Sequence, residues 1–306
     1  MKLCRFNDNR LGVFEGAVLK DVTEVLEVLP PLYWPVPQGD HFFRHFTEIR
    51  RAIAARIATA PVVSTADIRY LSPVVNASKI IAAPLNYTKH VVEVGKDPQI
   101  HAGTHSFQYD GFRTPIDKLG LFLKAGSSVV GPSDGITLVY PERRTDHEVE
   151  LVAIIGREGK DITEAEAMGY VCAYCIGLDM TVRGPEDRSF RKSPDSYTVL
   201  GPLLVTADDI DDPARLDLSI TVNGIVKQHA NTQDLTVHLP RLVAIASSCY
   251  TLYPGDVIMT GTPDGVAPVS PGDSIVATIS SLGDMKVAVR AGNPSSGVHG
   301  QKAVEQ

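Results

Sequence analysis

The chain has 306 residues, a length typical of about two domains. Its formal net charge is −7 at pH 7, and this acidic balance argues against non-specific nucleic-acid binding, which needs lysine and arginine to replace phosphate counterions. No stretch is apolar over the roughly 18 positions that a membrane span requires, and the first residues lack the apolar core of a signal peptide. Because four cysteines are too few for a disulfide scaffold, we expect a cytoplasmic globular enzyme or binding protein.

The first 72 residues are predicted to form a small N-terminal α/β domain. Apolar and polar residues alternate over residues 1–28, with Gly12 and Gly16 at turns, which is typical of short strands. The proline-rich segment 30–37 is unsuitable for a helix interior. Apolar residues then recur at steps of three and four from Phe42 to Ile57, which predicts an amphipathic helix with arginines on its solvent side.

From residue 73 to residue 290 the pattern predicts a β-rich α+β domain. Strand-like runs separated by Gly, Pro and Asp occur at 79–83, 128–130, 148–155, 170–176, 203–205, 216–222, 256–259 and 274–279. Few helices interrupt them, so the segment lacks the regular strand–helix alternation of a parallel α/β fold. Residues 291–306 are rich in glycine and serine and are expected to form a flexible tail.

Closely spaced carboxylates give the strongest local signal for chemistry. In the segment Asp-His-Glu-Val-Glu, the side chains of Asp146, Glu148 and Glu150 share one face if the segment is a strand. Like charges this close are unfavourable unless a cation lies between them, and oxygen ligands suit magnesium, calcium and manganese. The alternative is a solvated edge-strand face. Asp179 ends a buried apolar run and is a candidate third ligand, although an aspartate there also suits a turn.

A histidine and a glutamate form the second candidate pair. In the segment 86–93 (Asn-Tyr-Thr-Lys-His-Val-Val-Glu), His90 and Glu93 lie three positions apart and share a face if the segment is helical. A carboxylate beside a histidine fixes its tautomer and raises its basicity, which suits a general base. A surface ion pair is the alternative. The later segment Thr-Gly-Thr-Pro-Asp-Gly, which contains Gly261 and Thr262, offers hydroxyls and N–H groups for a carboxylate, or forms an ordinary turn.

Short motifs of this kind run through most of the chain. They lie at 79–93, 121–124, 131–135, Glu148 with Glu150, Asp179 with Arg183, Lys192 with Asp195, Gly201-Pro202, 222–228, 231–232, 254–258 and 261–266. In this order and at this spacing they resemble the fumarylacetoacetate hydrolase superfamily, in particular its bacterial members. The resemblance covers about residues 75–290, whereas the first 70 residues contribute little to it.

The resemblance implies a mixed β-sandwich roll that forms a homodimer. It also implies a magnesium site, or one for manganese or calcium, built from Glu148, Glu150 and Asp179. His90 and Glu93 are then expected on a short lid helix, where they activate water.

Further contacts to substrate are implied by the same resemblance, from the side chains of Lys192, Arg183 and Thr262 and from Gly261. One position departs from the pattern, because Glu186 stands where many members have glutamine. We expect Glu186 to pair with Arg183 or Arg188 and to affect substrate preference.

Together these residues predict a metal-dependent hydrolase that cleaves a C–C bond in a small 1,3-dicarbonyl acid, such as an acylpyruvate or a fumarylpyruvate-like acid. A metal-stabilised enolate and water activated by His90 and Glu93 account for the residue set. The alternatives on the same metal site are a decarboxylase of an oxaloacetate-like acid and an isomerase or hydratase of a muconate-type keto acid. A ligand-binding protein without turnover is a hypothesis of another class. The acyl group stays open, since it depends on variable loops such as 94–120 and 184–191.

Overall fold

The computed structural model of the chain describes residues 1–97 and 113–293. In this part strands dominate, helices are short, and pairing between strands that are distant in sequence sets the architecture. The predicted tail lies outside the described residues from 294 onwards, and the variable loop 94–120 does so over 98–112. None of the described helices is both long enough and apolar enough to cross a bilayer.

The strands are numbered in chain order. The first group is β1 (Lys2–Phe6), β2 (Arg10–Glu15), β3 (Val18–Asp21), β4 (Val62–Val63), β5 (Tyr70–Leu71), β6 (Ile80–Ala82) and β7 (Phe122–Lys124). The second group is β8 (Val129–Val130), β9 (Ile136–Leu138), β10 (Thr145–His147), β11 (Val149–Ile155), β12 (Val171–Asp179), β13 (Thr181–Val182) and β14 (Thr198–Thr206). The third group is β15 (Asp217–Val222), β16 (Ile225–Asn231), β17 (Val257–Met259), β18 (Ala267–Pro268), β19 (Ser274–Ile279) and β20 (Gly283–Ala291).

The α-helices are short and lie between groups of strands. They are α1 (His41–Arg44), α2 (Phe46–Arg56), α3 (Thr88–Lys96), α4 (Pro115–Leu119), α5 (Arg188–Lys192) and α6 (Leu239–Cys249). Helices α3 and α5 matter most for function, because both contribute side chains to the same cavity.

One large mixed sheet contains most of the described strands. Its 12 strands follow the order β4-β3-β2-β1-β14-β12-β11-β17-β6-β7, with β5 beside β1 and β8 beside β14. A five-stranded sheet has the order β16-β15-β19-β20-β9, and a three-stranded sheet has the order β13-β10-β18. Antiparallel pairs occur together with parallel ones such as β17 with β6 and β20 with β9. The β-rich α+β class predicted from the sequence is therefore confirmed.

Strand β11 lies inside the large sheet and is buried along its whole length. Val152 and Ile154 belong to one apolar cluster, together with Ile53 of α2. Leu151 and Ala153 belong to the other cluster, which includes residues of α6 and of the five-stranded sheet. Because side chains alternate along a strand, β11 supplies both faces of the core. A strand covered on both faces needs a continuous apolar run, and the residues directly after Glu150 provide one.

The first 72 residues extend the large sheet. Strand β1 pairs antiparallel with β14, with Lys2 opposite Val205 and Leu3 opposite Leu204. Leu3 and Val13 also share an apolar cluster with residues of β11 and β17. The domain boundary at residue 72 stays a prediction from the sequence, and in the structure the sheet and its core continue across it.

The amphipathic helix predicted over residues 42–57 is present in two pieces. Helices α1 and α2 meet at His45, whose backbone has φ −109° and ψ 23°. The carboxylate of Asp40 accepts a hydrogen bond from the Phe42 N–H at 2.8 Å and so caps α1. In α2 the apolar side chains Phe46, Ile49 and Ile53 are buried, as their spacing predicts.

Shortening Ile53 to alanine tests whether the first 72 residues and the rest of the chain unfold as one unit. Ile53 is fully buried in the shared cluster, so the change is expected to lower the free energy of unfolding by about 2 to 5 kcal/mol. Differential scanning calorimetry is expected to give one transition, displaced to lower temperature. The exposed Arg51→Ala on the same helix is the control and is expected to change stability by less than about 0.5 kcal/mol. Two transitions, of which only one moves, would show two independent units.

Candidate active site

Three carboxylates meet where β11 and β12 run side by side. Glu150 lies in β11, Glu148 immediately precedes that strand, and Asp179 ends β12. The Asp179 N–H donates to the Glu148 carbonyl oxygen at 2.9 Å, which fixes the two residues beside each other. All three side chains are buried, and one ligand oxygen from each lies within 4.8 Å of the others. The structure thus brings together the three residues that the sequence indicates as metal ligands.

The three carboxylates differ in how well neighbouring cations compensate them. Burial, followed by the charges of Asp179 and Glu148, raises the pKa of Glu150 well above its ordinary value. Burial also raises the pKa of Glu148, but Lys192 and Arg183 outweigh it and leave that pKa below its ordinary value. In the described residues, lysine and arginine side chains form ion pairs with Glu148 and Asp179 but not with Glu150.

Lys192 binds the cluster directly. Its Nζ donates to Glu148 Oε2, to Asp179 Oδ2 and to Thr181 Oγ1, each at 2.7 Å. Lys192 ends the short helix α5 and is itself buried. From its sequence motif this lysine is expected to contact substrate, and the structure places its ammonium group between two of the three carboxylates.

Lys124 is a second buried cation, to which the sequence motifs assign no role. It ends β7, and its Nζ donates to Asp179 Oδ1, to the main-chain oxygen of Lys192 and, at 3.1 Å, to the main-chain oxygen of Tyr197. Burial lowers the pKa of Lys124, and the Asp179 charge opposes that shift. The lysine lies within a motif of the family resemblance, so a signal is present, but no local spacing connects it to Asp179.

Asp146 lies beside the cluster and outside it. Arg183 Nε donates to Asp146 Oδ2 at 2.8 Å, and its Nη2 donates to Glu148 Oε1 at 3.2 Å. Arg144 donates to both carboxylate oxygens of Asp146, at 2.7 and 3.0 Å. Two guanidinium groups therefore neutralise Asp146, and Arg183 connects it to the cluster.

His90 and Glu93 lie on α3, which confirms that this segment is helical from Thr88 onwards. His90 Nδ1 and Glu93 Oε2 are 2.8 Å apart, and the Gly265 N–H donates to Glu93 Oε1 at 2.9 Å. The imidazole is buried and lines the same cavity as Glu148. Since Glu93 engages Nδ1, Nε2 is the ring nitrogen left for a group in the cavity.

Asn86 and Gly261 hold the start of α3 close to the cluster. Asn86 Nδ2 donates to the main-chain oxygens of Val237 and Thr260, both at 2.8 Å. The Gly261 N–H donates to Glu150 Oε2 at 2.7 Å. A Cβ at position 261 would lie 2.7 Å from the Cβ of Asn86, and the φ of +97° there favours glycine. Gly261 is predicted from its motif to bind substrate, whereas its N–H contacts a carboxylate of the cluster.

Thr262 is held by a buried glutamine. Gln228 Nε2 donates to Thr262 Oγ1 at 2.9 Å and to the Pro263 main-chain oxygen at 2.7 Å. The same side chain accepts a hydrogen bond at Oε1 from the Val149 N–H at 3.2 Å. Gln228 therefore ties the threonine loop to the beginning of β11, a contact that the sequence does not reveal.

Glu186 has a different partner from those expected. Arg143 donates to both of its carboxylate oxygens, from Nη1 at 2.9 Å and from Nη2 at 2.7 Å. The predicted pairing with Arg183 or Arg188 is wrong, because the planar fork of Arg143 already occupies both oxygens. Arg143 Nη2 also donates to the main-chain oxygen of Arg183 at 2.8 Å, which fixes this pair beside β13.

A cavity of about 50 Å³ lies over the cluster. Six residues predicted as site residues contribute to its lining, namely His90, Glu148, Asp179, Arg183, Lys192 and Thr262. Two arginines of α5, Arg188 and Arg191, line it as well, although the sequence motifs assign neither to the site. In the described part of the chain, the four other predicted site residues, Glu93, Glu150, Glu186 and Gly261, do not line this cavity.

Known proteins share the part of the chain that builds this site. Residues 79–290 match the family model described as fumarylacetoacetate (FAA) hydrolase C-terminal. A maleylpyruvate hydrolase from Aquipseudomonas alcaligenes is 52% identical over 291 residues, which cover 95% of this chain and 100% of that protein. A mitochondrial oxaloacetate tautomerase from Rattus norvegicus is 35% identical over 246 residues, which cover 76% of this chain and 72% of that protein.

A solved structure shares the fold. The crystal structure of a maleylpyruvate hydrolase from Sphingobium sp. SYK-6 in complex with manganese(II) ion and pyruvate matches with a TM-score of 0.79 at 37% identity, covering 96% of this chain and 100% of that chain. The match confirms the roll of mixed sheets that the motifs implied. Since the family model spans the carboxylate cluster and α3, and both relatives match most of the chain, the chain belongs to the fumarylacetoacetate hydrolase family.

Proposed function

We propose that the chain is a metal-dependent hydrolase that cleaves a carbon–carbon bond in a small 1,3-dicarbonyl acid of the acylpyruvate class. The observation that carries the proposal is one cavity lined by His90 and by the carboxylates Glu148 and Asp179. The relatives support it, because two of them are named maleylpyruvate hydrolase and one was crystallised with manganese(II) and pyruvate. Pyruvate is one of the two acids that hydrolysis of any acylpyruvate releases.

The carboxylate cluster suits a divalent cation. Two oxygens bound to one ion lie at most twice the metal–oxygen distance apart, about 4 to 5 Å for magnesium and calcium, and the ligand oxygens of Glu148, Glu150 and Asp179 lie within 4.8 Å of one another. Burial and the neighbouring carboxylates also raise the pKa of Glu150, and a bound cation would stabilise its charged form. We propose magnesium as the cation, with manganese or calcium as substitutes, because all three prefer oxygen ligands.

A bound cation supplies Lewis-acid polarisation of the 2-keto group. The chain adds two cations of its own at the same cavity, Lys192 and Arg183, each already oriented by Glu148. Preorganised donors in a buried site stabilise the oxyanion charge that develops in the transition state, by about 3 to 4 kcal/mol for one donor. Thr262 lines the same cavity and is proposed to bind the substrate carboxylate.

His90 is proposed as the general base. Its Nδ1 is held by Glu93, so Nε2 takes a proton from water while the water oxygen attacks the distal carbonyl carbon. The bond between that carbon and the neighbouring CH₂ then breaks, and the electron pair moves to the pyruvate half. The proton held by His90 returns to that CH₂ carbon, which completes the addition of one water molecule and releases two acids.

A second candidate function uses the same cluster without hydrolysis. One relative, 35% identical, is named an oxaloacetate tautomerase, and exchange between keto and enol forms needs an anion-stabilising site and a proton-transfer group but no attacking water. Decarboxylation of an oxaloacetate-like acid and isomerisation of a muconate-type acid have the same requirement. Turnover in ¹⁸O-labelled water separates the two classes, because only hydrolysis places the label in the released acyl acid.

We further propose that the enzyme acts as a cytoplasmic homodimer on a small keto acid and binds neither nucleic acid nor membrane. The homodimer is proposed from the family resemblance, and the acidic net charge supports the absence of nucleic-acid binding. Light scattering coupled to size-exclusion chromatography measures the oligomeric state directly.

Removal of one cluster carboxylate is expected to remove the cation. Glu150→Gln keeps the size of the side chain but loses its charge, so manganese affinity measured by isothermal titration calorimetry is expected to fall by more than about 100-fold. Turnover is expected to be lost with it, and EDTA is expected to inactivate the wild type reversibly. The exposed Glu142→Gln is the matched control and is expected to keep wild-type affinity. Full activity of the metal-stripped wild type would contradict the metal-dependent mechanism.

Loss of the imidazole tests the proposed base. His90→Ala is expected to lower the kcat for hydrolysis of an acylpyruvate by about 100-fold or more. Glu93→Gln is expected to lower it nearly as much, because the imidazole then loses the carboxylate that holds Nδ1. Manganese affinity is expected to stay unchanged in both. The exposed His229→Ala is the control. Wild-type kcat for hydrolysis in His90→Ala would rule out His90 as the general base.

Loss of the Lys192 ammonium group is expected to have two separable effects. Lys192→Met is expected to reduce kcat by about 100-fold or more at saturating metal, as loss of one oxyanion donor does. It also leaves Glu148 and Asp179 with less compensation, so the metal-free variant is expected to melt at a lower temperature and to gain more from added manganese than the wild type. The exposed Lys227→Met is the control. Unchanged kcat would show that Lys192 only supports the cluster.

A further inference from the structure

Arg188 is a cation at the cavity that has no ion-pair partner in the part of the chain that the structure describes. It begins α5 and lines the cavity together with Glu148 and Asp179. Across residues 1–97 and 113–293 its guanidinium group makes no side-chain hydrogen bond and no ion pair. The contact that the structure gives it is with an aromatic face, the ring of Phe122, whose centroid lies 5.2 Å from Arg188 Cζ.

The acids nearest to Arg188 in sequence are committed elsewhere. Glu186 gives both carboxylate oxygens to Arg143. Asp187 caps α5, and its Oδ1 accepts a hydrogen bond from the Ser189 N–H at 2.8 Å. Neither carboxylate therefore forms an ion pair with Arg188.

Arg188 shares this wall of the cavity with a second arginine of α5. Arg191 lines the same cavity and is buried, and its Nε donates to the Glu186 main-chain oxygen at 2.9 Å. Burial lowers the pKa of Arg191, and the charges of Arg183 and Arg188 lower it further. Burial likewise lowers the pKa of Arg188, and the charges of Asp187, Asp179 and Glu148 oppose that shift. Within the described residues neither Arg188 nor Arg191 forms an ion pair, so an anion bound between them would offset the cost of removing both guanidinium groups from water.

The 2-keto acid group of a substrate is expected to bind at other cations than Arg188. Lys192 and Arg183 already lie against the carboxylate cluster, where a chelating keto acid is expected to bind. Arg188 begins the helix that Lys192 ends, and both line the cavity about one helical turn apart. A second anionic group, at the far end of the substrate, fits this position.

We propose that Arg188 binds the distal carboxylate of a dicarboxylic acylpyruvate and thereby makes the enzyme select such acids over monocarboxylic ones. This inference rests on the proposed function and names the substrate class within it. A guanidinium fork matches a carboxylate with two parallel N–H···O bonds, and the ring of Phe122 supports its flat face.

Substrate selectivity tests the proposal. The ratio of kcat/KM for maleylpyruvate, which has a distal carboxylate, to kcat/KM for acetylpyruvate, which has none, is measured for the wild type and for Arg188→Gln. We expect the ratio to fall by about 10- to 100-fold, mainly through KM for maleylpyruvate, as for the loss of one charge-assisted contact. Arg188→Lys keeps the charge without the fork, so an intermediate ratio is expected. The exposed Arg51→Gln is expected to keep the wild-type ratio.

Binding of acids that cannot be hydrolysed separates this proposal from the proposed function. 2-Oxoheptanedioate and 2-oxoheptanoate have the same chain length, lack the second keto group and differ in the distal carboxylate. Both affinities are measured by calorimetric titration of the manganese-loaded protein. Arg188→Gln is expected to lower the affinity for 2-oxoheptanedioate by about 10- to 100-fold relative to the affinity for 2-oxoheptanoate. If the wild type cleaves no acylpyruvate, the proposed function fails, and this titration still decides the role of Arg188. If the substitution lowers the affinity for both acids equally, or changes neither affinity, the proposed role of Arg188 is wrong even if the enzyme hydrolyses acylpyruvates.

Discussion

Repulsion among three carboxylates buried within 4.8 Å of one another is the constraint on which the rest of this structure depends. Each buried charge costs several kcal/mol unless it is paired, so the surroundings must be rigid and well supplied with donors. Strand pairing provides the rigidity, because Glu148 and Asp179 are joined through the main chain beside a strand that is buried on both faces. The apolar clusters on either side of β11 therefore stabilise a site in which repulsion between carboxylates is unfavourable.

The carboxylates in and beside the cluster are not equally paired with cations. Asp146 is neutralised by two arginines and Glu148 by Lys192 and Arg183, whereas Glu150 accepts a hydrogen bond from the Gly261 N–H. Within the described residues Glu150 thus has no ion-pair partner, and neither has Arg188 on α5. A cation at Glu150 and an anionic group at Arg188 would pair both, and a chelating acid with a second carboxylate would span the two positions.

Local spacing in the sequence is sufficient to predict some of these residues and insufficient for others. Two glutamates two positions apart on a strand, and a histidine three positions before a glutamate on a helix, share a face whatever the rest of the fold does. Contacts between distant segments are different. The pairs of Lys124 with Asp179 and of Arg143 with Glu186 join residues 55 and 43 positions apart, and no local pattern decides which acid an arginine meets.

The dependence on contacts between distant segments also explains two wrong predictions, the partner of Glu186 and the single helix over residues 42–57. The expectation for Glu186 considered only cations within a few residues of it, and the true partner, Arg143, lies before β10. A helix is predicted over residues 42–57 from apolar spacing, which continues through His45, but the cap at Asp40 starts a separate first turn. The antiparallel pairing of β1 with β14 likewise depends on the fold of the whole chain, so alternation in residues 1–28 predicts strands without predicting their neighbours.

The cluster and helix α3 have separable parts in the chemistry. A cation site that stabilises an enolate serves hydrolysis, decarboxylation and tautomerisation alike, so the three carboxylates alone do not distinguish these reactions. What distinguishes hydrolysis is a base that can activate water next to the distal carbonyl. His90 is buried at the same cavity, its Nδ1 faces Glu93, and Glu93 is fixed in turn by the Gly265 N–H. This series of contacts orients one ring nitrogen towards the cavity for proton transfer, and hydrolysis is the reaction in which that nitrogen takes its proton from an attacking water.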